Sequence, residues 1–228
     1  MKHSVRIAPS ILTADFGQLT GQIHAVEAAG VDLMHLDVMD AHFVPPLSFG
    51  TEVVAAVRAA SSLPIEVHLM VERPSEHIKS FAQVGADTQI FHYEAAGDMK
   101  TSEMLITQIR ELGCEPALAV NPETDLEKFE ELLPQLTQIT VMTIQPGWGG
   151  QNLREDLLEK VSAVRAAANA LNLNDFTIEI DGGVKAHNIS RCVDAGANLI
   201  VAGSAVFNDQ QTPAEAVAEL HVALGRST

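Results

Sequence analysis

Eight short β-rich runs, each followed by a longer helical pattern, constrain this chain more than any other feature of its sequence. The runs fall at 5–11, 33–39, 65–71, 88–93, 116–121, 138–144, 176–181 and 199–203. The helical patterns fall at roughly 16–29, 49–60, 75–84, 101–112, 124–133, 155–171, 186–195 and 213–224. Strands that alternate with helices imply a parallel sheet. Gly30, Gly85, Gly113 and Gly196 each sit just past a helical pattern, where a terminating residue takes positive φ. Pro74-Ser75 and Pro213-Ala214 fit helix openings, where proline's missing N–H costs little. No linker rich in Pro or Ser interrupts the series, so residues 1–228 form one domain.

Eight such units could make an open doubly wound sheet or a closed barrel. A doubly wound sheet usually carries a glycine fingerprint after its first strand. Here that strand ends in Pro9-Ser10-Ile11-Leu12, and the glycines gather after strands six to eight. The pattern therefore favours a single-domain α/β fold, a (β/α)₈ TIM barrel, and 228 residues suit that size. With 46% hydrophobic residues the chain can bury a large core. Cys114 and Cys192 form no spaced framework, which points to a reducing cytoplasm. Met1-Lys2-His3-Ser4 leads straight into the first strand without a signal segment, and no apolar run is long enough to span a membrane. A net charge of −16 argues against nucleic acid and anionic membranes as partners.

Side chains at i and i+2 share a strand face. One face of the second strand carries Leu33, His35, Asp37 and Met39, and the other carries Met34, Leu36 and Val38. The third strand opposes Glu66, His68 and Met70 to Ile65, Val67 and Leu69. The seventh opposes Thr177, Glu179 and Asp181 to Phe176, Ile178 and Ile180. The apolar faces should meet the helices, so the ionisable groups should point into the barrel. Burying an unpaired carboxylate costs several kcal/mol, roughly, so something inside must compensate. His35, Asp37, His68 and Asp181 sit near the C-terminal strand ends, the face where barrel active sites lie. Two imidazoles and two carboxylates suit one divalent cation such as Zn, Fe, Mn or Co. A metal-free network of ion pairs is the weaker alternative.

Glu66 and Glu179 lie deeper and read as structural polar groups. His92 and Glu94 share a face of strand four, as partners of the site or as satisfied core groups. His42 reads as a solvated loop histidine. Gly147-Trp148-Gly149-Gly150, Gly182-Gly183 and Gly203-Ser204 follow strands six, seven and eight. Backbone N–H groups approach a ligand closely at glycine, and barrels often bind phosphate after strands seven and eight. No lysine or arginine falls inside these clusters, so backbone donors would carry a phosphate. Ser10 and Asn121 end strands one and five. Met39, Met70 and Met142 recur at strand ends, as core filler or as an apolar wall beside the metal.

These segments resemble the ribulose-phosphate 3-epimerase family. The resemblance is carried by Ala8-Pro9-Ser10-Ile11-Leu12, His35-Leu36-Asp37-Val38-Met39-Asp40, Phe43-Val44-Pro45 and His68-Leu69-Met70-Val71. It continues in Val141-Met142-Thr143, Pro146-Gly147-Trp148-Gly149-Gly150-Gln151, Asp181-Gly182-Gly183 and Val201-Ala202-Gly203-Ser204. The motifs run in the family's order over nearly the whole chain. The resemblance implies a metal-dependent isomerase that interconverts D-ribulose 5-phosphate and D-xylulose 5-phosphate. It implies that His35, Asp37, His68 and Asp181 hold the metal, and that Asp37 and Asp181 form the acid/base pair. The metal would stabilise a 2,3-enediolate while the two aspartates flank C3.

By the same resemblance Ser10, His68, Gly147, Gly149, Gly150, Gly182, Gly183, Gly203 and Ser204 contact the substrate. The protein would act in the pentose phosphate pathway as a cytoplasmic homo-oligomer. Ala41 replaces a glycine common in the family, Pro46 an asparagine, and Trp148 a phenylalanine. Two of these lie in the loop after strand two, so a six-carbon ketose phosphate such as allulose 6-phosphate is the alternative substrate. Lyase or synthase barrels and a non-catalytic sugar-phosphate binder are the rival readings. No lysine falls on a strand to form a Schiff base, and the intact aspartate pair argues against a mere binder.

Overall fold

The computed structural model describes residues 4–226. Eight parallel strands form one sheet: β1 Arg6–Pro9, β2 Met34–Met39, β3 Ile65–Met70, β4 Thr88–His92, β5 Glu115–Val120, β6 Gln138–Met142, β7 Thr177–Asp181 and β8 Leu199–Ala202. Each strand from β2 to β8 pairs with its sequence neighbour, and β8 pairs with β1. The seam between β1 and β2 closes the sheet into a barrel. Ser10 bridges His35 there in parallel register. Below it the Ile7 N–H donates to the Asp32 carboxylate at 2.8 Å, and the Asp32 N–H donates to the Ile7 carbonyl at 3.0 Å.

Eight α-helical segments surround the barrel: α1 Leu19–Ala28, α2 Thr51–Ala60, α3 Ile78–Gln83, α4 Tyr93–Ala96, α5 Met99–Glu111, α6 Leu158–Ala170, α7 Ile189–Asp194 and α8 Pro213–Ala223. The strand faces divide as the alternation requires. Met34, Leu36, Val38, Ile65, Val67 and Leu69 pack outward in the main apolar core beneath the helices. Inside, Ala8, Leu33 and Leu199 make one small apolar patch, and Ile90, Ala117 and Ala119 another. Gly30, Gly85, Gly113 and Gly196 all take positive φ. Thr212 caps α8 in a reciprocal capping box with Glu215, with proline in its first turn.

Four expected elements differ, one of them because the helix expected over 155–171 opens as a 3₁₀ turn at Glu155–Leu157 before α6 begins. β1 was expected to reach residue 11 but stops at Pro9, because the Leu12 N–H turns back to Ser10 Oγ and starts a 3₁₀ turn over Ile11–Thr13. The helix expected over 124–133 is two 3₁₀ pieces, Leu126–Lys128 and Glu130–Gln135. Pro134 lies in the second piece. It has no N–H to return to residue 130, and its ring crowds that carbonyl. The bonds found instead span three residues, as in Phe129 N–H to Leu126 and Leu132 N–H to Phe129. The helix expected over 75–84 opens as a 3₁₀ turn at Pro74–Glu76 before α3 begins. The single turn of α4 had no expectation; it follows β4 directly and ends at Gly97, φ 81°.

Candidate active site

The register fixes the height of each polar side chain. Asp37 pairs with His68 across β2 and β3, Met39 pairs with Met70, and His35 pairs with Glu66. Met142 pairs with Asp181 across β6 and β7. Register thus sets Asp37 level with His68 on neighbouring strands, while Asp181 reaches the same point from the end of β7. His35, Asp37, His68 and Asp181 converge there, each offering one ligand atom, with all four atoms within 4.8 Å of one another. His35 and His68 are wholly buried and Asp37 is 4% exposed.

Hydrogen bonds aim this cluster. His35 Nδ1 lies 2.7 Å from Glu66 Oε1, while its Nε2 lies 3.1 Å from Asp37 Oδ1. His68 Nδ1 lies 3.0 Å from Asp37 Oδ1 and 3.5 Å from Asp181 Oδ2. Ser10 Oγ donates to the other Asp37 oxygen at 2.5 Å. If the His35 Nδ1–H donates to Glu66, the remaining nitrogen of a neutral His35 faces a carboxylate with a lone pair. Such a contact needs a proton or a cation between the two groups. Burial pushes His68 down, but hydrogen bonds to Asp181 and Asp37 outweigh it and raise the imidazole to about 9. His35 is raised likewise, with the Asp37 charge overcoming burial. Burial would push the Asp37 carboxyl up, but the two imidazoles hold it well below the ordinary range. Nitrogen and oxygen lone pairs from four side chains thus meet at one point, and this donor set fits a divalent cation.

The floor below is also polar. Gln138 Nε2 donates to Glu66 Oε2 at 3.0 Å and to Glu179 Oε2 at 3.1 Å, and Thr140 also donates to Glu179. Burial and the neighbouring Glu66 charge raise Glu179 to about 8. Glu66 is lowered, since its bond to His35 outweighs burial. One carboxyl of the pair is therefore neutral at pH 7, which makes the buried pair tolerable.

Above the cluster opens a cleft. Asp37 and Asp181 line it together with Ser10, Met39, Met70 and Met142. Gly147, Gly149, Gly150, Gly182, Gly183, Gly203 and Ser204 line it as well. Of the residues expected as metal ligands, substrate contacts and apolar wall, all line this cleft except His35 and His68, which are wholly buried; Asn121, His92 and Glu94 do not line it. Met39, Met70 and Val44 form a compact apolar group with Leu12 and Phe43 packed against it. No lysine or arginine lines the cleft among the described residues. The Gly182-Gly183 turn needs its glycines: φ is 124° and 72°, and a Cβ on Gly183 would lie 2.1 Å from the Leu153 nitrogen. His42 is exposed, its N–H donating to Asp40 Oδ1. Thr13, Ile144 and Val184, which carry no expected role, also line the cleft. Residues 13, 144 and 184 lie past the strand ends, where alternation gives no signal.

A closed eight-stranded barrel whose C-terminal mouth joins a buried four-donor cluster to a glycine-lined cleft defines a class of α/β-barrel proteins built to place a small ligand against that cluster. The sequence profile of the ribulose-phosphate 3 epimerase family matches residues 6–207. The chain is 40% identical over 216 residues to ribulose-phosphate 3-epimerase of Bacillus subtilis, covering 95% of this chain and 98% of that one. It is 44% identical over 209 residues to ribulose-phosphate 3-epimerase 1 of Cupriavidus necator, covering 90% and 86%. This chain belongs to the ribulose-phosphate 3-epimerase family. The solved structure of KGPDC from Streptococcus mutans superposes with a TM-score of 0.71 at 15% identity, covering 97% of this chain and 98% of that one, and it shares the fold. Among the described residues no helix is long and apolar enough to cross a membrane.

Proposed function

We propose that this chain is an isomerase that epimerises C3 of a ketose phosphate, interconverting D-ribulose 5-phosphate and D-xylulose 5-phosphate. The observation that carries the reading is the pair Asp37 and Asp181, both open to the cleft and both bound to the same buried histidine. Inverting C3 requires that a proton leave one face of the carbon and another arrive at the opposite face. Asp37 and Asp181 come from β2 and β7, so a sugar carbon held between them would meet one carboxylate on each face. One acts as base while the other, protonated, acts as acid, and the roles exchange with direction. Ser10 steadies the outer oxygen of Asp37.

His35, Asp37, His68 and Asp181 would hold one divalent cation, of the Zn, Fe, Mn or Co type. When bound it supplies Lewis acidity to the sugar oxygens beside the reacting carbon. The backbone N–H groups of the three glycine clusters would receive the phosphate, against an overall charge of −16. The methionine wall offers no proton that could compete with the two carboxyls. The two buried free thiols fit a reducing cytoplasm, and the family resemblance supports a homo-oligomer in the pentose phosphate pathway.

Asp37→Asn and Asp181→Asn should each lower kcat/KM in both directions by about 10²- to 10⁴-fold, with the far-ultraviolet spectrum unchanged. Wild-type-like turnover by either variant would refute the two-acid scheme. Chelation should abolish turnover, and adding back each of the four metals in turn identifies the one that restores it. Running allulose 6-phosphate beside ribulose 5-phosphate decides between the six-carbon and five-carbon substrates. The loop after β2, which would meet the sugar tail, carries Ala41, held at φ 59°, and Pro46, which abuts Gly147.

A further inference from the structure

Two side chains, His92 and Glu94, run outward from the cluster behind His68 and have no part in the mechanism above. His68 Nε2 lies 2.8 Å from His92 Nε2. The two rings are within 16° of parallel with centroids 5.0 Å apart, the spacing of an in-line N–H···N bond. His92 Nδ1 lies 3.1 Å from Glu94 Oε2. The other Glu94 oxygen accepts from the Asn121 N–H at 2.9 Å and from the Thr124 hydroxyl. His92 is wholly buried, with Phe43 against its ring at 4.8 Å, while the Glu94 side chain is 23% exposed.

Hydrogen positions follow from what each group can do. An ionised carboxylate only accepts, so His92 must donate through Nδ1. A neutral His92 then has a lone pair on Nε2 and must accept there. His68 therefore donates through Nε2, which leaves Nδ1 to hold either a proton or the cation, and that atom faces Asp37 and Asp181. We propose that Glu94 and His92 are positioning residues that fix the tautomer and aim of His68, so that its Nδ1 is the atom presented to the cation. This rests on the reading of His68 as a ligand. His35 is aimed by a carboxylate directly, through Glu66. His68 is aimed by a carboxylate acting through a second imidazole. Its neighbour in β4 register is Ile90, so no acidic group lies closer on that strand.

Two measurements test this. Nitrogen-15 NMR of the metal-free protein reads which ring nitrogen of His92 carries the proton. The expected proton is on Nδ1, and Glu94→Ala should shift it toward a mixture of tautomers. Cobalt(II) affinity by chelator competition reads the consequence. His92→Phe keeps the ring's bulk and removes both nitrogens, and it should weaken cobalt binding by about 10- to 100-fold. His92→Gln, whose carbonyl can still accept from His68, should recover most of that loss. Cobalt in excess should restore most of the His92→Phe kcat, which a merely misfolded barrel would not allow. A His92 proton on Nε2 in the wild type overturns the proposal. So does a His92→Phe protein that binds cobalt within about twofold of a wild type that binds it well, against the loss expected when such a partner is removed. A wild type that binds no cobalt refutes the ligand reading itself, and the proposal falls with it.

Discussion

Asp37 is bonded at once by Ser10, His35 and His68, and it is nearly buried. Without a cation, protons must supply the positive charge that this contact set demands, and the pKa shifts record that. His68 rises from 6.5 to about 9 and Glu179 from 4.5 to about 8. Both are groups whose folded form prefers the proton. Their stabilisation is complete below the unfolded pKa and is lost as pH rises through the folded one. Asp37 shifts the opposite way, but its window lies at acid pH and leaves this range untouched. The chelated protein should therefore lose stability between pH 4.5 and 9, through Glu179 first and His68 above pH 6.5, seen as a falling urea midpoint. A divalent cation should flatten that decline, because it replaces the protons. A chelated protein equally stable at both ends of the range would contradict the charge assignment. The four converging residues were legible in the sequence because strand alternation assigns each to a face. The Glu94–His92–His68 chain was legible only as a pair on one face. Its hydrogen bonds depend on how β3 and β4 are staggered and on ring rotation, which periodicity does not encode.

Among the elements, the loops after β6 and β7 set the shape of the cleft. Gly183 stacks on the Asn152–Leu153 backbone, so the two loops lock together through a contact that admits no Cβ. Gly183→Ala adds left-handed strain of about 1–2 kcal/mol to a clash that only backbone movement can relieve. It should cost at least about 2 kcal/mol of stability and raise KM more than it lowers kcat. Unchanged KM would mean that this turn does not shape the phosphate end of the cleft. The glycine clusters were readable because few other residues explain glycine repeated at adjacent strand ends. The link from β5 to β6 was misread because 124–133 has helical periodicity, and Pro134 penalises a helix from beyond the end of that window. Leu132 and Leu133 of the second piece and Phe129 between the two are still buried, so the apolar pattern identified the buried face while the helix type escaped it.

At the scale of the whole molecule, the barrel is a ring with one thin seam. Every other junction is a run of paired residues, whereas β1 meets β2 through a single bridge at Ser10 and His35 and through Asp32. Two residues of that seam, Ser10 and His35, also touch Asp37, so the seam and the site share side chains. Asp32→Ala leaves the buried Ile7 N–H without its acceptor, which should cost about 1–3 kcal/mol. Hydrogen exchange at Ile7 should speed up more than exchange in β4 and β5, on the far side of the ring. Uniform acceleration around the barrel would show that the seam is no weaker than the rest. The eight-unit repeat made the barrel readable, because only a closed ring buries eight such strands without an edge. The seam was not readable, since Asp32 precedes its strand and looks like an ordinary loop carboxylate.

Solvent labelling tests the two-carboxyl scheme most directly. Metal-replete protein is mixed with D-ribulose 5-phosphate in deuterium oxide and followed by proton NMR. Two carboxyls that exchange with solvent and act on opposite faces of C3 predict D-xylulose 5-phosphate carrying deuterium at C3, with both the conversion and the label lost in Asp37→Asn and in Asp181→Asn. No conversion by the wild-type protein, or a product that keeps its original hydrogen at C3, would contradict it.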